Sequence, residues 1–137
     1  MIRKTKHATT NYRALLPFLS VVDQNGSHKR FISDGFMDLV IEDLNAKDYE
    51  GREIYSISHY GEQNRDLMAD PDMEIAVDRR YGEIVPRTFR NDYLGLFQEV
   101  FKEKNGKIYY SERLLIDLDS FLWHWLKNIQ AQGFIAV

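Results

Sequence analysis

Between Leu114 and Ile129 the apolar residues return every three or four positions: Leu114, Leu115, Leu118, Phe121, Leu122, Trp125 and Ile129. That spacing draws one apolar stripe along a helix. Gly133 stands where such a helix would stop. A helix with one apolar side must lie on another surface, and the middle of the chain supplies one. Arg52 to Tyr60 alternates, with Ile54, Ser56 and Ser58 opposite Tyr55, Ile57 and His59. Asp72 to Arg79 alternates again, with Met73, Ile75 and Val77 on one face and Asp72, Glu74 and Asp78 on the other. Period two beside period 3.6 predicts an α+β domain, with helices covering one face of an antiparallel sheet.

The other segments fill in that plan. Phe36–Leu44 is short and holds a β-branched pair, so it is read as a strand burying Met37, Leu39 and Ile41. The helical alternative would group Phe36, Val40, Ile41 and Leu44. Arg80–Glu83 is a turn with Gly82 at positive φ, and Glu83–Phe89 returns as a strand that Pro86 pushes toward an edge or a bulge. Tyr93–Lys102 reads as a fifth strand, followed by a tight Asn105-Gly106 turn. Near the N-terminus Tyr12, Leu15, Leu16, Leu19 and Val22 are helically spaced, with Thr9 or Thr10 as the cap. Pro17 lies inside that run, where proline costs about 3 kcal/mol, unless the helix starts near Ala14 or kinks. Residues 23–29 have turn composition. The expectation is one domain over residues 1–137, with 1–8 flexible. Its core is an antiparallel meander of about five strands flanked by an N-terminal and a C-terminal helix.

The chain has no cysteine, so disulfides and thiolate metal sites are excluded. No apolar run reaches the ~20 residues that span a bilayer. The basic start MIRKTKHATTNYR is followed by no apolar secretory core, which makes the cytoplasm the expected compartment. Charge is unevenly spread. Residues 1–30 hold six Lys/Arg and one acid, residues 31–78 three and thirteen, and residues 79–137 nine and seven. The acidic middle repels phosphate backbones. Nucleic acid would therefore have to use Arg3, Lys4, Lys6 and Arg13, or Arg79, Arg80, Arg87 and Arg90.

Ser58–Glu74, reading SHYGEQNRDLMADPDME, concentrates polar groups between apolar runs and is expected to be an ordered loop carrying the function. Its candidate functional residues are His59, Tyr60, Glu62, Gln63, Asn64, Asp66, Asp70 and Asp72. Leu67 and Met68 are expected to anchor it in the core. His59, Glu62, Asp70 and Asp72 would suit Mg²⁺, Mn²⁺ or Zn²⁺. Their spacing matches no calcium loop, however, and Asp70-Pro71-Asp72 is good turn chemistry. Asp72, Glu74 and Asp78 on one strand face suggest metal-assisted phosphodiester cleavage, but no lysine follows to move a proton. Nothing supports nucleophilic catalysis, and no cofactor is expected. Trp123 and His124 would point outward from the last helix, where Trp123 could anchor a partner, while Trp125 packs inward.

Three segments carry a resemblance: HYGEQNRDLMADPDME, YLGLFQEVF and LDSFLWHWLKNIQAQGF. Together they resemble an uncharacterised family, a domain of unknown function, of small bacterial proteins carried on plasmids and conjugative or integrative elements. The likeness runs from Phe36 to Phe134. The family pattern has two aromatics after the histidine and a glycine before Asp66. Gly61 and Arg65 occupy those places here, and an arginine at 65 weakens any argument that the backbone there needs a positive φ. The resemblance implies an accessory role on a mobile element and assigns no catalytic residue. The leading expectation is a non-enzymatic interaction domain with a protein partner. A metal-dependent hydrolase or nuclease built on the His59–Asp72 loop is the alternative, and direct DNA binding comes third.

Overall fold

A computed structural model describes residues 4–137. The order is helix α1 (Ala8–Gln24), strands β1 (His28–Ile32), β2 (Leu39–Lys47), β3 (Glu53–Gln63), β4 (Asp66–Asp78), β5 (Glu83–Pro86) and β6 (Thr88–Asn91). A 3-10 turn at Asp92–Leu94 leads to β7 (Leu96–Glu99), then β8 (Phe101–Lys104), β9 (Lys107–Tyr110), helix α2 (Glu112–Gln132) and β10 (Ile135–Ala136). Eight strands form one antiparallel sheet in the order β10-β1-β2-β3-β4-β6-β7, with β5 also on β4. Strands β8 and β9 pair as a separate ribbon.

The α+β class and the two flanking helices match expectation, but five strands is too few. Strands β9 and β10 are additional to the five expected, and three further causes complete the difference. His28–Ile32 is a strand although its first residues have turn composition. The strand expected over Glu83–Phe89 breaks at Arg87, immediately after Pro86, because three residues there oppose two on β4. The strand expected over Tyr93–Lys102 is cut into a 3-10 turn, β7 and β8, with buried Val100 between the last two.

One apolar cluster unites both helices with one face of the sheet. Leu15, Leu19 and Val22 of α1 and Leu115, Leu118, Leu122 and Ile129 of α2 meet Leu39, Ile41, Tyr55, Ile57, Met73, Ile75 and Val77. Cross-strand register explains the choice of face, since Ile41 stands beside Ile57 and Ile57 beside Met73. Ser111 caps α2 by accepting from Leu114 N, and Gly133 ends it at φ +69°. Helix α1 runs straight through Pro17 and has no side-chain cap, because His7, not Thr9 or Thr10, sits at its start. Pro17 and Arg13 are both exposed, so the Arg13 carbonyl that proline leaves without a helical donor lies on the solvent side of the helix. The start of α1 is instead tied to α2. Buried Asp119 accepts from Thr5 Oγ1 at 2.7 Å and from His7 N at 2.9 Å. The flexible segment expected over 1–8 thus lies partly in residues 1–3, outside the described residues. The rest of it includes these bonded groups.

Among the described residues the other face of the sheet carries no helix. Across it runs the row Arg30, Val40, Ser58, Asp72, Arg90, Phe97, each residue beside the next on successive strands. Glu42, Ser56 and Glu74 form a second row.

Candidate functional site

Ser58–Glu74 is a β-hairpin, not a loop. Strand β3 continues to Gln63, β4 begins at Asp66, and Gln63 pairs with Asp66 across a two-residue turn. Asn64 and Arg65 both have positive φ, +52° and +69°. Two consecutive left-handed residues make the turn whose twist matches a hairpin. Arg65 therefore does occupy a left-handed position, at a steric cost that glycine would avoid.

A register shift divides the hairpin. Ser58 pairs with Asp72 and Tyr60 with Ala69, so Asp70 and Pro71 together oppose His59. His59 turns to the helical side. Its ring lies 5.4 Å from Trp125 and 5.7 Å from Phe134, centroid to centroid. Its Nδ1–H donates to the Asp38 carbonyl at 3.2 Å. Burial lowers its pKa, against the opposing pull of the Asp38 and Met37 carbonyls and the Asp70 carboxylate, so the ring is neutral at pH 7. Tyr60 turns to the open face and donates to Asp72 Oδ2 at 3.0 Å. Burial raises the pKa of Asp72, while Tyr60 and Arg90 work the other way. Burial likewise raises Glu74, against Arg87.

Residues at the end of β6 and just after it brace this end. Asn91 Nδ2 donates to Asp70 Oδ1 at 2.8 Å, and Asp92 Oδ2 accepts from Ala69 N at 2.8 Å. Arg90 Nε lies 3.1 Å from Asp92 Oδ1. Tyr93 lies over Gly61, where a Cβ would stand 2.4 Å from its hydroxyl and 3.2 Å from Met37 Sδ. Gly61 thus leaves the space that Tyr93 fills.

The structure brings Tyr60 and Asp72 together, and His59 near Asp70. Among the described residues, Glu62, Gln63, Asn64 and Asp66 are exposed near the tip and their side chains make no hydrogen bond. The four candidate ligands divide between faces, His59 and Asp70 on one and Glu62 and Asp72 on the other. No three His, Asp or Glu side chains among the described residues converge as a metal site. The hydrolase alternative therefore has no geometric support here. Leu67 is 70% exposed and anchors nothing, while Met68 is half-buried beside Gly61. The cause is that the hairpin overhangs the helical layer. Asp78 is buried and holds the next turn by accepting from Arg80 N and Tyr81 N, so it is not on a solvated nuclease-like face.

Several of the basic candidates are engaged: Arg79 bonds Glu53 and Asp23, Arg80 faces Asp78, Arg87 lies over the Phe101 ring, and Lys4 pairs with Glu83. Lys6 and Arg13 are exposed, and Arg3 lies outside the described residues. Trp123 is half-buried, stacked on His7 at 4.7 Å with Lys127 Nζ 4.1 Å over its ring, so it is no free anchor. Sequence reasoning missed the roles of Met37, Asn91, Asp92 and Tyr93. Only Asn91-Asp92, a turn-forming pair, gave a signal.

These features define an α+β domain with a braced, overhanging hairpin and, among the described residues, one sheet face without a helix. The chain belongs to the DUF6908 family, a domain of unknown function, whose profile matches residues 10–135. No curated protein and no solved structure matches it. No helix among the described residues is long and apolar enough to cross a membrane.

Proposed function

We propose that this domain is a non-enzymatic interaction module, a cytoplasmic accessory of a bacterial mobile genetic element, which presents the hairpin end of its sheet to a protein partner. One observation carries the reading: that end exposes apolar side chains on both of its faces. Met37, Leu67, Tyr93, Leu94 and Phe97 are all exposed. Leu67 stands opposite Glu62, Phe97 opposite Arg90, and Tyr93 and Met37 flank Gly61. Single exposed apolar residues are ordinary, but a group rimmed by charge marks an interaction surface. The rim is acidic, with Glu62, Asp66, Asp72 and Asp92 outnumbering Arg65 and Arg90. The mobile-element and cytoplasmic setting rests on the resemblance of the three segments quoted above.

The test places a photoreactive residue at Leu67, Tyr93 or Phe97, with Lys104 as control, in bacteria carrying the element. One shared protein adduct at the first three positions and not at Lys104 is expected. Absence of adducts, or the same adducts at Lys104, would overturn the reading.

A further inference from the structure

Strand β7 ends the sheet, and among the described residues its outer edge pairs with nothing. Such an edge is a template for another strand, and proteins usually blunt it with lysine, proline, a bulge or extreme shortness. The opposite edge follows that rule, since β10 has two residues. Strand β7 does not. It reads Leu-Phe-Gln-Glu, pairs with β6 over four consecutive positions without a register shift, and leaves Phe97 59% exposed. At ~3.3 Å per residue its edge is about 13 Å long.

We propose that β7 receives an extended segment of a partner protein as an added antiparallel strand, and that this segment carries a basic residue followed two and three positions later by apolar residues. This rests on the interaction reading above and specifies its mode. The pattern follows from the faces. Phe97 and Glu99 point to the open face, beside Arg90 and Thr88 respectively. An antiparallel newcomer sets its first residue opposite Glu99, its third opposite Phe97 and its fourth opposite Leu96. On that face Glu99 and Asp72 both repel Glu74, with Arg87 the cation that offsets them there. A cation there relieves like charges, while apolar side chains cover Phe97 and Leu96. Backbone bonds would give affinity and these three pairs specificity.

The experiment is fluorescence anisotropy with the intact protein and a labelled, blocked octapeptide. The peptide is threonine throughout except for lysine at its third position and valine at its fifth and sixth. Saturable binding is expected, weakened about fivefold or more when the peptide lysine becomes glutamate. The Glu99→Lys protein should reverse that preference. A strand has two edges, so methylating alternate peptide nitrogens on one edge should abolish binding and on the other should not. Both protein and variants are checked by circular dichroism, and Glu99 is exposed, so folding is expected to survive. No saturable binding, indifference to N-methylation, or an unchanged preference in Glu99→Lys would overturn the proposal. So would a concentration-dependent dimer lost in Phe97→Lys, which would give the edge to a second copy. Photo-adducts at Leu67 and Tyr93 without peptide binding would sink the edge proposal alone and leave the interaction reading standing.

Discussion

Strand β3 is two different environments on one piece of chain. Its first half, around Tyr55 and Ile57, lies under both helices and is fully enclosed. Its second half, from Tyr60 to Gln63, runs beyond them and ends at an exposed turn. The backbone and the pairing partner are the same throughout. What changes is the cover, and with it what selects each residue. Under the helices, burial of apolar area fixes every second side chain, at roughly 1.5–3 kcal/mol for each large one. Beyond them only the ladder, the turn and a few braces hold the chain. Side chains there are free to serve a partner.

The largest effect should fall on the covered half. Leu122→Ala removes a fully buried side chain from the helical layer and should cost about 2–5 kcal/mol. Leu67→Ala on the overhang should cost less than about 0.5 kcal/mol. Urea melts of both variants check the contrast, and equal losses would mean that the two halves are not distinct. A smaller effect tests the brace. Gly61→Ala puts a Cβ against the Tyr93 hydroxyl, the far end of an exposed side chain that can shift, and should cost about 1 kcal/mol or less. Adding Tyr93→Phe removes the clashing oxygen and should recover much of that loss, a coupling that a double-mutant cycle measures.

The same contrast explains how far the sequence could be read. The stripe on α2 and the alternation of Tyr55, Ile57, Met73, Ile75 and Val77 were legible because burial imposes a period on them. Gly82 and Asn105-Gly106 were legible because positive φ demands their chemistry. The hairpin was misread as a loop because no buried face imposes a pattern on Glu62 to Leu67. An arginine in a left-handed position gives no warning of a tight turn. The brace from Asn91, Asp92 and Tyr93 depends on contacts across more than twenty residues, which local spacing does not encode. His59 and Tyr60, adjacent in sequence, were grouped as one site. Strand geometry sends them to opposite faces.

Arg65 offers a gain where the previous substitutions give losses. Its φ of +69° is one that glycine adopts freely. Arg65→Gly should stabilise the protein by about 0.5–1 kcal/mol, the relief of the left-handed strain less the entropy glycine adds to the unfolded chain. Thermal melts would show it. A loss of stability would mean that the arginine side chain makes contacts that hold the turn.

The smallest effect is a matter of pH. Asp72 and Glu74 are half-buried on the open face, and burial raises both pKa values above the ordinary carboxylate range. A carboxyl group that holds its proton more tightly when folded favours folding at low pH. That contribution is lost as pH rises from the unfolded pKa through the folded one. Once ionised, Asp72 carries the desolvation cost, offset in part by Tyr60 and Arg90. Asp72→Asn keeps an acceptor for the Tyr60 hydroxyl and removes the charge. The variant should be slightly more stable than wild type at pH 7, and the gain should shrink as pH falls toward 4. His59 supplies an internal control, because its lowered pKa makes acidification destabilising in both proteins alike. Stability curves from pH 4 to 8 that run parallel for Asp72→Asn and wild type would show that the open face does not strain its carboxylates. The case for a cation arriving beside Glu99 would then lose part of its electrostatic basis.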